Sequence, residues 1–269
     1  MNSPKDIAKN YIDIGVGKMN LSVLKMILLG IMAGAFIAFA GFGATVASAT
    51  IENASVAKFV GACAFPAGLA MVLIAGSELF TGNCLLVIPV LEKKATVAKM
   101  LKSWLFVYIG NLIGSIIVGA LVAGGHSMSL FSNAVAKSVI NTAVTKVSMS
   151  FGDALIRGIL CNFLVCIAVW MSFAAKDVAG KIVGLFFPIM IFVVSGFEHS
   201  IANMYYVSAG LFGKMNDAFA AAATADTSVL TWGAMFGKNL LPVTIGNIIG
   251  GAVCVGLLYW VVYLKDSSK

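Results

Sequence analysis

Charged side chains make up only 11% of this sequence, histidine occurs twice, and there are five cysteines. Each scarcity excludes something. Set against 60% hydrophobic residues and a mean hydropathy of +1.00, so little charge leaves more apolar side chain than a soluble core could hide. The chain reads as an integral membrane protein. His126 and His199 form no ligand pair of usable spacing, which argues against zinc, and no cofactor motif is present. Cys63, Cys84, Cys161, Cys166 and Cys254 are odd in number and lie in apolar segments, so core packing is their expected role. The net charge of +7 is not arranged as a basic stripe interleaved with aromatics, which excludes a nucleic-acid partner.

What is present is a series of long apolar runs. A bilayer core about 30 Å thick takes roughly 20 helical residues to cross. Six runs of at least that length span 27–46, 59–91, 104–123, 154–174, 182–210 and 240–264. The second and fifth are too long for one simple span, and both carry polar interruptions. Lys5, Lys9, Lys18 and Lys25 precede the first run, Lys93, Lys94, Lys99 and Lys102 follow the second, Lys176 and Lys181 follow the fourth, and Lys265 and Lys269 follow the sixth. In a six-span chain these clusters share one side, so both termini are expected in the cytoplasm. Lys137, Lys146, Lys214 and Lys238 are left for outer loops or buried roles. Ala47-Ser48-Ala49 mimics a signal-peptidase site, but the preceding run is too long for a signal peptide and reads as an uncleaved first helix.

The two halves resemble one another. "YIGNLIGSIIVGAL" (108–121) matches "TIGNIIGGAVCVGLL" (244–258), and "KMILLGIMAGAF" (25–36) is a weaker echo of "ALIRGILCNFLV" (154–165). Spans one to three repeating as four to six makes the halves, roughly 25–123 and 153–264, inverted in the membrane within one transmembrane domain over 1–269. Such repeats place a site near the midplane, where helices break. The interruptions correspond accordingly: "GSELFTGN" (76–83) lies opposite "SGFEHSIAN" (195–203). Non-helical backbone at that depth is tolerated only inside protein or beside a cavity.

Glu78 and Glu198 are expected to accept the amides freed at the two breaks, with cation binding or proton carriage the alternative. A lone histidine on an apolar face is most often a satisfied core residue. His199 stands out because it adjoins a break, where a group titrating near neutrality can hold or give a proton. Thr81 offers a hydroxyl from the facing break, whereas His126 has no special claim. Gly110, Gly114, Gly119, Gly246, Gly250, Gly251 and Gly256 have the small-residue spacing that lets membrane helices, and here the two repeats, approach closely. Lys18, Lys25, Lys93 and Lys94 are assigned to the solvated or headgroup face. The first segment reads as an interfacial helix with Ile7, Tyr11, Ile14 and Lys18 at helical spacing, a plug of the cytoplasmic mouth being the alternative.

"GSELFTGN", "GILCNFLVCIAVWMSF" (158–173), "FVVSGFEHSIANMYY" (192–206) and "NLLPVTIGNIIGGAVCVGLLYWVVYL" (239–264) together resemble the signature blocks of the formate/nitrite transporter family. "ELFTGN" and the short length are more similar to its hydrosulfide channel branch. The resemblance implies an all-α, six-helix, aquaporin-like protomer with two broken helices. It also implies a homopentamer in a bacterial cytoplasmic membrane, with one pore per protomer and no enzymatic activity. It assigns His199, Thr81, the buried Lys146 and Asn162 to the pore. Leu69, Leu79 and Phe192 would form the cytoplasmic constriction, Phe65, Phe80 and Val165 the outer one, with Glu78, Glu198 and Asn203 supporting the loops.

A bare monovalent anion costs several kcal/mol or more to bring into an apolar constriction, its neutral conjugate acid far less. On this reading Lys146 and the half-helix dipoles draw the anion in and raise its proton affinity. His199 with Thr81 then bonds or protonates it, so that hydrosulfide, formate or nitrite slips past the rings. Three rivals remain: a neutral-solute channel, disfavoured because neither break carries Asn-Pro-Ala; a proton- or sodium-coupled transporter using Glu78 and Glu198; and a membrane enzyme, for which His199 has no partner.

Overall fold

The computed structural model describes residues 1–265, so Lys269 of the last basic cluster lies outside the described residues. Among the described residues every regular element is helical. In chain order, leaving aside 3-10 turns at Ser127–Ser129 and Thr227–Val229, these are α1 (Pro4–Met19), α2 (Val23–Ser48), α3 (Ala54–Gly76), α4 (Gly82–Leu91) and α5 (Val97–Gly124). They continue with α6 (Ala134–Val147), α7 (Phe151–Ala174), α8 (Val178–Val194), α9 (Ser200–Gly213), α10 (Asp217–Ala222) and α11 (Trp232–Tyr263). Helices α2, α3, α5, α7 and α11 are each long and apolar enough to cross a membrane. The second apolar run is split into α3 and α4, and the fifth into α8 and α9.

Each unbroken start has a chemical cause. Ser22, Thr96 and Ser150 stand in extended backbone before α2, α5 and α7, and their hydroxyls accept the amide of the third residue on. Asp177 does the same for α8. The breaks are equally specific. The last turns of α3 and α8 widen, so that Ser77 N–H donates to the Val72 carbonyl at 3.0 Å and Phe197 N–H to that of Phe192 at 3.1 Å. Gly76 (φ +83°) and Gly196 (φ +71°) then carry the chain through the left-handed region, each two residues before a glutamate.

Helix packing divides the glycines into two jobs. Gly110 and Gly114 of α5 lie against Gly30 and the Ile31 carbonyl of α2, while Gly246 and Gly250 of α11 lie against Gly158 and the Ile159 carbonyl of α7. These stripes therefore join helices within one half, not across halves as their spacing led one to expect. Gly119 against Ser208 and Ala209, Gly251 against Cys84, and Gly256 against Val87 make the contacts between halves. Spacing identifies a stripe but not the helix it faces.

Helix α1 also departs from the interfacial reading. Its buried stripe is Ile7, Ala8, Tyr11, Gly15 and Met19, with Gly15 against Pro89 and the Tyr11 ring edge-on to Phe173 at 5.8 Å. Asn2 donates its amides to the carbonyls of Phe173 and Ala174, tying the front of α1 to the end of α7. The apolar face thus packs on protein. A methyl at Gly246 meets the Leu155 carbonyl, whereas one at Gly43 has no neighbour within 4 Å. Gly246→Ala should cost about 1–3 kcal/mol, and Gly43→Ala should be neutral or slightly stabilising. Thermal unfolding in detergent checks this, and equal midpoints for the two variants refute the close-approach argument.

Candidate functional site

A helix broken at membrane depth leaves amides and carbonyls that no water satisfies. Two asparagines answer this. Asn111 of α5 donates its Nδ2 to the Gly30 and Glu78 carbonyls at 2.8 and 2.9 Å, and its Oδ1 accepts the Phe80 amide at 3.0 Å. Asn247 of α11 donates to the Gly158 and Glu198 carbonyls at 2.8 and 3.0 Å and accepts the Ser200 amide at 2.9 Å. Glu78 N–H closes on the Leu29 carbonyl and Glu198 N–H on that of Arg157, both at 3.2 Å. The two breaks are therefore held by one scheme used twice.

The glutamate side chains do something other than accept freed amides, because the asparagines already take those. Glu198 receives both contacts of Lys146 Nζ, at 3.0 and 2.9 Å, and a 2.6 Å bond from Asn203 Nδ2. Glu78 receives Lys18 Nζ at 2.8 Å and Asn83 Nδ2 at 2.8 Å. Lys18 therefore does not lie on the headgroup face assigned to it; it reaches from α1 to the first break. Asn239 extends the second set by accepting from Asn203 and donating to the Lys146 carbonyl, each at 2.9 Å. Each buried carboxylate is matched by one ammonium and one amide, the condition under which a buried charge is tolerated.

Between the breaks stands His199, the N-cap of α9. Its Nδ1 accepts the Ala202 amide at 3.0 Å, and its Nε2 lies 3.0 Å from Thr81 Oγ1. An amide can only donate, so Nδ1 must be the unprotonated nitrogen and the neutral ring carries its proton on Nε2. That proton is donated to Thr81, whose own hydroxyl proton remains for a third group. Both residues are buried.

Two cavities flank this pair. The one on the α6 side is about 430 Å³ and is lined by Lys58, Lys146, Glu198, His199, Phe65 and Phe192 among others. The one under α1 is about 30 Å³ and is lined by Tyr11, Lys18, Leu69, Leu79, Asn83 and Phe173 among others. Leu69 and Leu79 both line the cavity under α1. Phe192 does not join them: it stacks on the His199 ring at 5.9 Å and meets Phe65 edge-on at 5.7 Å, so it belongs to the α6 side. Phe80 and Val165 line neither cavity; Phe80 packs on Tyr108 and Trp104, and Val165 is buried on α7. Asn162 is likewise occupied with backbone, donating to the Asn247 and Thr81 carbonyls at 2.7 and 3.2 Å. It positions Thr81. Among the described residues no cluster of metal-ligating side chains occurs.

Asn111, Asn247, Asn239 and Lys58 carry or line the site without having been singled out from the sequence. Asn111 and Asn247 had a signal, for both follow Ile-Gly in the repeated segments, where an amide inside an apolar span needs a partner. Removing the carboxylate of Glu198 strands Lys146. Glu198→Gln should therefore cost about 3–5 kcal/mol, and Lys146→Met with Glu198→Gln should recover much of it. Unfolding midpoints of the single and double variants test this; additive losses refute the coupling.

The sequence profile described as "Formate/nitrite transporter" matches residues 5–261. A probable formate transporter of Methanothermobacter thermautotrophicus is 38% identical, covering 98% of both chains. The formate channel FocA of Escherichia coli K12 is 37% identical over 98% of this chain and 95% of its own. A solved pentameric formate channel with formate bound is 35% identical, superimposes with a TM-score of 0.81, and covers 90% of this chain and 98% of that one. These relatives are channels and transporters, not enzymes. With both broken helices, the paired polar clusters and the profile match in place, the chain belongs to the formate/nitrite transporter family.

Proposed function

We propose that the protein conducts small monovalent anions of weak acids through its own protomer, between the two cavities and past His199. The observation that carries this is the 3.0 Å contact between His199 Nε2 and Thr81 Oγ1, which joins the two helix breaks with apolar side chains on either side. A hydrogen-bonding pair there gives a partly dehydrated ion its one polar stop. The apolar rings beyond it favour the neutral acid, since dehydration raises an anion's affinity for a proton. A nearby ammonium does the reverse; it concentrates the anion but weakens its hold on a proton. His199 itself serves as a donor, because surrendering the Nε2 proton while Nδ1 is engaged leaves an imidazolate. The proton that neutralises the anion enters from the cavity.

On this reading residues 1–269 form one channel domain, with inverted halves over about 25–123 and 153–264. The protein forms a homopentamer in a bacterial cytoplasmic membrane, its termini and α1 on the cytoplasmic side. The formate names of the relatives make formate the first substrate. Hydrosulfide is favoured by the Gly82-Asn83 pair, where Gly82 lines the small cavity without a side chain and Asn83 holds Glu78. Nitrite has the same charge and similar acidity.

Flux in proteoliposomes tests the reading. Formate, hydrosulfide and nitrite should pass faster as pH falls, glycerol should not pass, and Thr81→Val should slow the anions about tenfold, the weight of one hydrogen bond. Glycerol flux indifferent to Thr81→Val and His199→Ala points instead to a neutral-solute channel. Uphill accumulation lost in Glu78→Gln or Glu198→Gln protein that still folds points to a coupled transporter. A periplasm-inactive fluorescent reporter fused after residue 269 should fluoresce in cells, and a dark fusion reverses the orientation.

A further inference from the structure

We propose that Lys58 captures the incoming anion at the α6-side mouth, with the hydroxyls of Ser138 and Thr142. The inference rests on the anion reading above and deepens it.

Charge around the large cavity decides the matter. Its lining residues that can carry charge near neutral pH are Lys58, Lys146, Glu198 and His199. Lys146 spans both carboxylate oxygens of Glu198, so that pair is a dipole with no net charge. His199 is held neutral by the Ala202 amide on Nδ1. One unit of positive charge is left, and it sits on Lys58. Among the described residues Lys58 has no hydrogen bond or ion pair. Among the described residues that line the cavity, that ammonium is the one positive charge an approaching anion meets without a carboxylate partner.

The walls lead inward from there. Ala54, Ala57, Lys58, Gly61 and Phe65 line the cavity from one face of α3, and Phe65 abuts Phe192, which stacks on His199. Seven residues of helix separate Lys58 from Phe65, about 10 Å. The opposite wall carries Ser138, Thr142 and Lys146 at successive four-residue steps of α6. Thr45 and Ser48 also line the cavity, but their hydroxyls donate to their own helix at 2.9 and 2.8 Å. Among the described residues Ser138 and Thr142 have no such bond, so both hydroxyls can donate to an ion. The ligand class is a small monovalent oxyanion or hydrosulfide, held loosely enough to move on.

A unit charge about 4 Å from the ion is worth about 1 kcal/mol even at the dielectric of bulk water, roughly a sixfold change in occupancy. Formate influx into right-side-out vesicles, measured against concentration at fixed pH and at low and high salt, tests the assignment. Lys58→Gln should raise the apparent KM about sixfold or more at low salt, leave the maximal rate near wild type and flatten the salt dependence. Lys58→Arg should restore both. A loss of maximal rate with unchanged KM would mark a merely structural lysine and overturn the proposal, as would wild-type KM and salt dependence in Lys58→Gln; either leaves the anion reading intact. Absence of formate and hydrosulfide flux in the wild type, with glycerol passing, overturns both.

Discussion

Everything in this protein depends on satisfying peptide groups where two helices stop inside the membrane. The interior offers no water, so each freed amide and carbonyl needs a protein partner, and each missing one costs several kcal/mol. Asn111 and Asn247 supply three bonds apiece, tying each break to the neighbouring long helix and to the break's own glutamate carbonyl. Because side-chain amides offer both donors and an acceptor, one residue closes a gap that a carboxylate could only half close. The glutamates are thereby free for ion pairing. The glycines at 76 and 196 make the turn, and the asparagines make it affordable at depth.

Charge is then admitted only in matched sets. Lys18, Glu78 and Asn83 on one side repeat the logic of Lys146, Glu198 and Asn203 on the other, each joining a short helix to a break. Both sets sit beside cavities, where an unmatched ion would be most costly to the fold and most visible to a passing solute. The centre itself carries no net charge. His199 and Thr81 present dipoles, which suit a solute whose charge can be lost and regained in passage.

Much of this architecture was legible in the sequence, for definite reasons. The apolar runs, the paired interruptions and the repeated Ile-Gly-Asn segments mark where helices lie and where they stop. His199 and Thr81 were legible because polar residues beside breaks have few harmless explanations. Three things were not. The partner of a small-residue stripe depends on tertiary packing, so Gly110 and Gly246 turned out to serve their own halves. The fate of Lys18 depended on α1 folding back onto the protein, which amphipathic spacing alone does not distinguish from lying on lipid. Which cavity a ring lines depends on tertiary packing, and Phe192 lines the large cavity while Leu69 and Leu79 line the small one.

The cavities of about 430 and 30 Å³ on either side of one narrow centre have a kinetic meaning. If the roomy antechamber fills at a lower outside concentration than the closet, half-saturation differs between the two directions of travel. A conduit without an energy source cannot convert that difference into pumping, because net movement must vanish when the electrochemical gradient does. At zero membrane potential the quotient of limiting rate and half-saturation constant must therefore match in the two directions. The side that saturates earlier also runs slower when full, and the lopsided shape governs how the protein throttles flow, never where equilibrium lies.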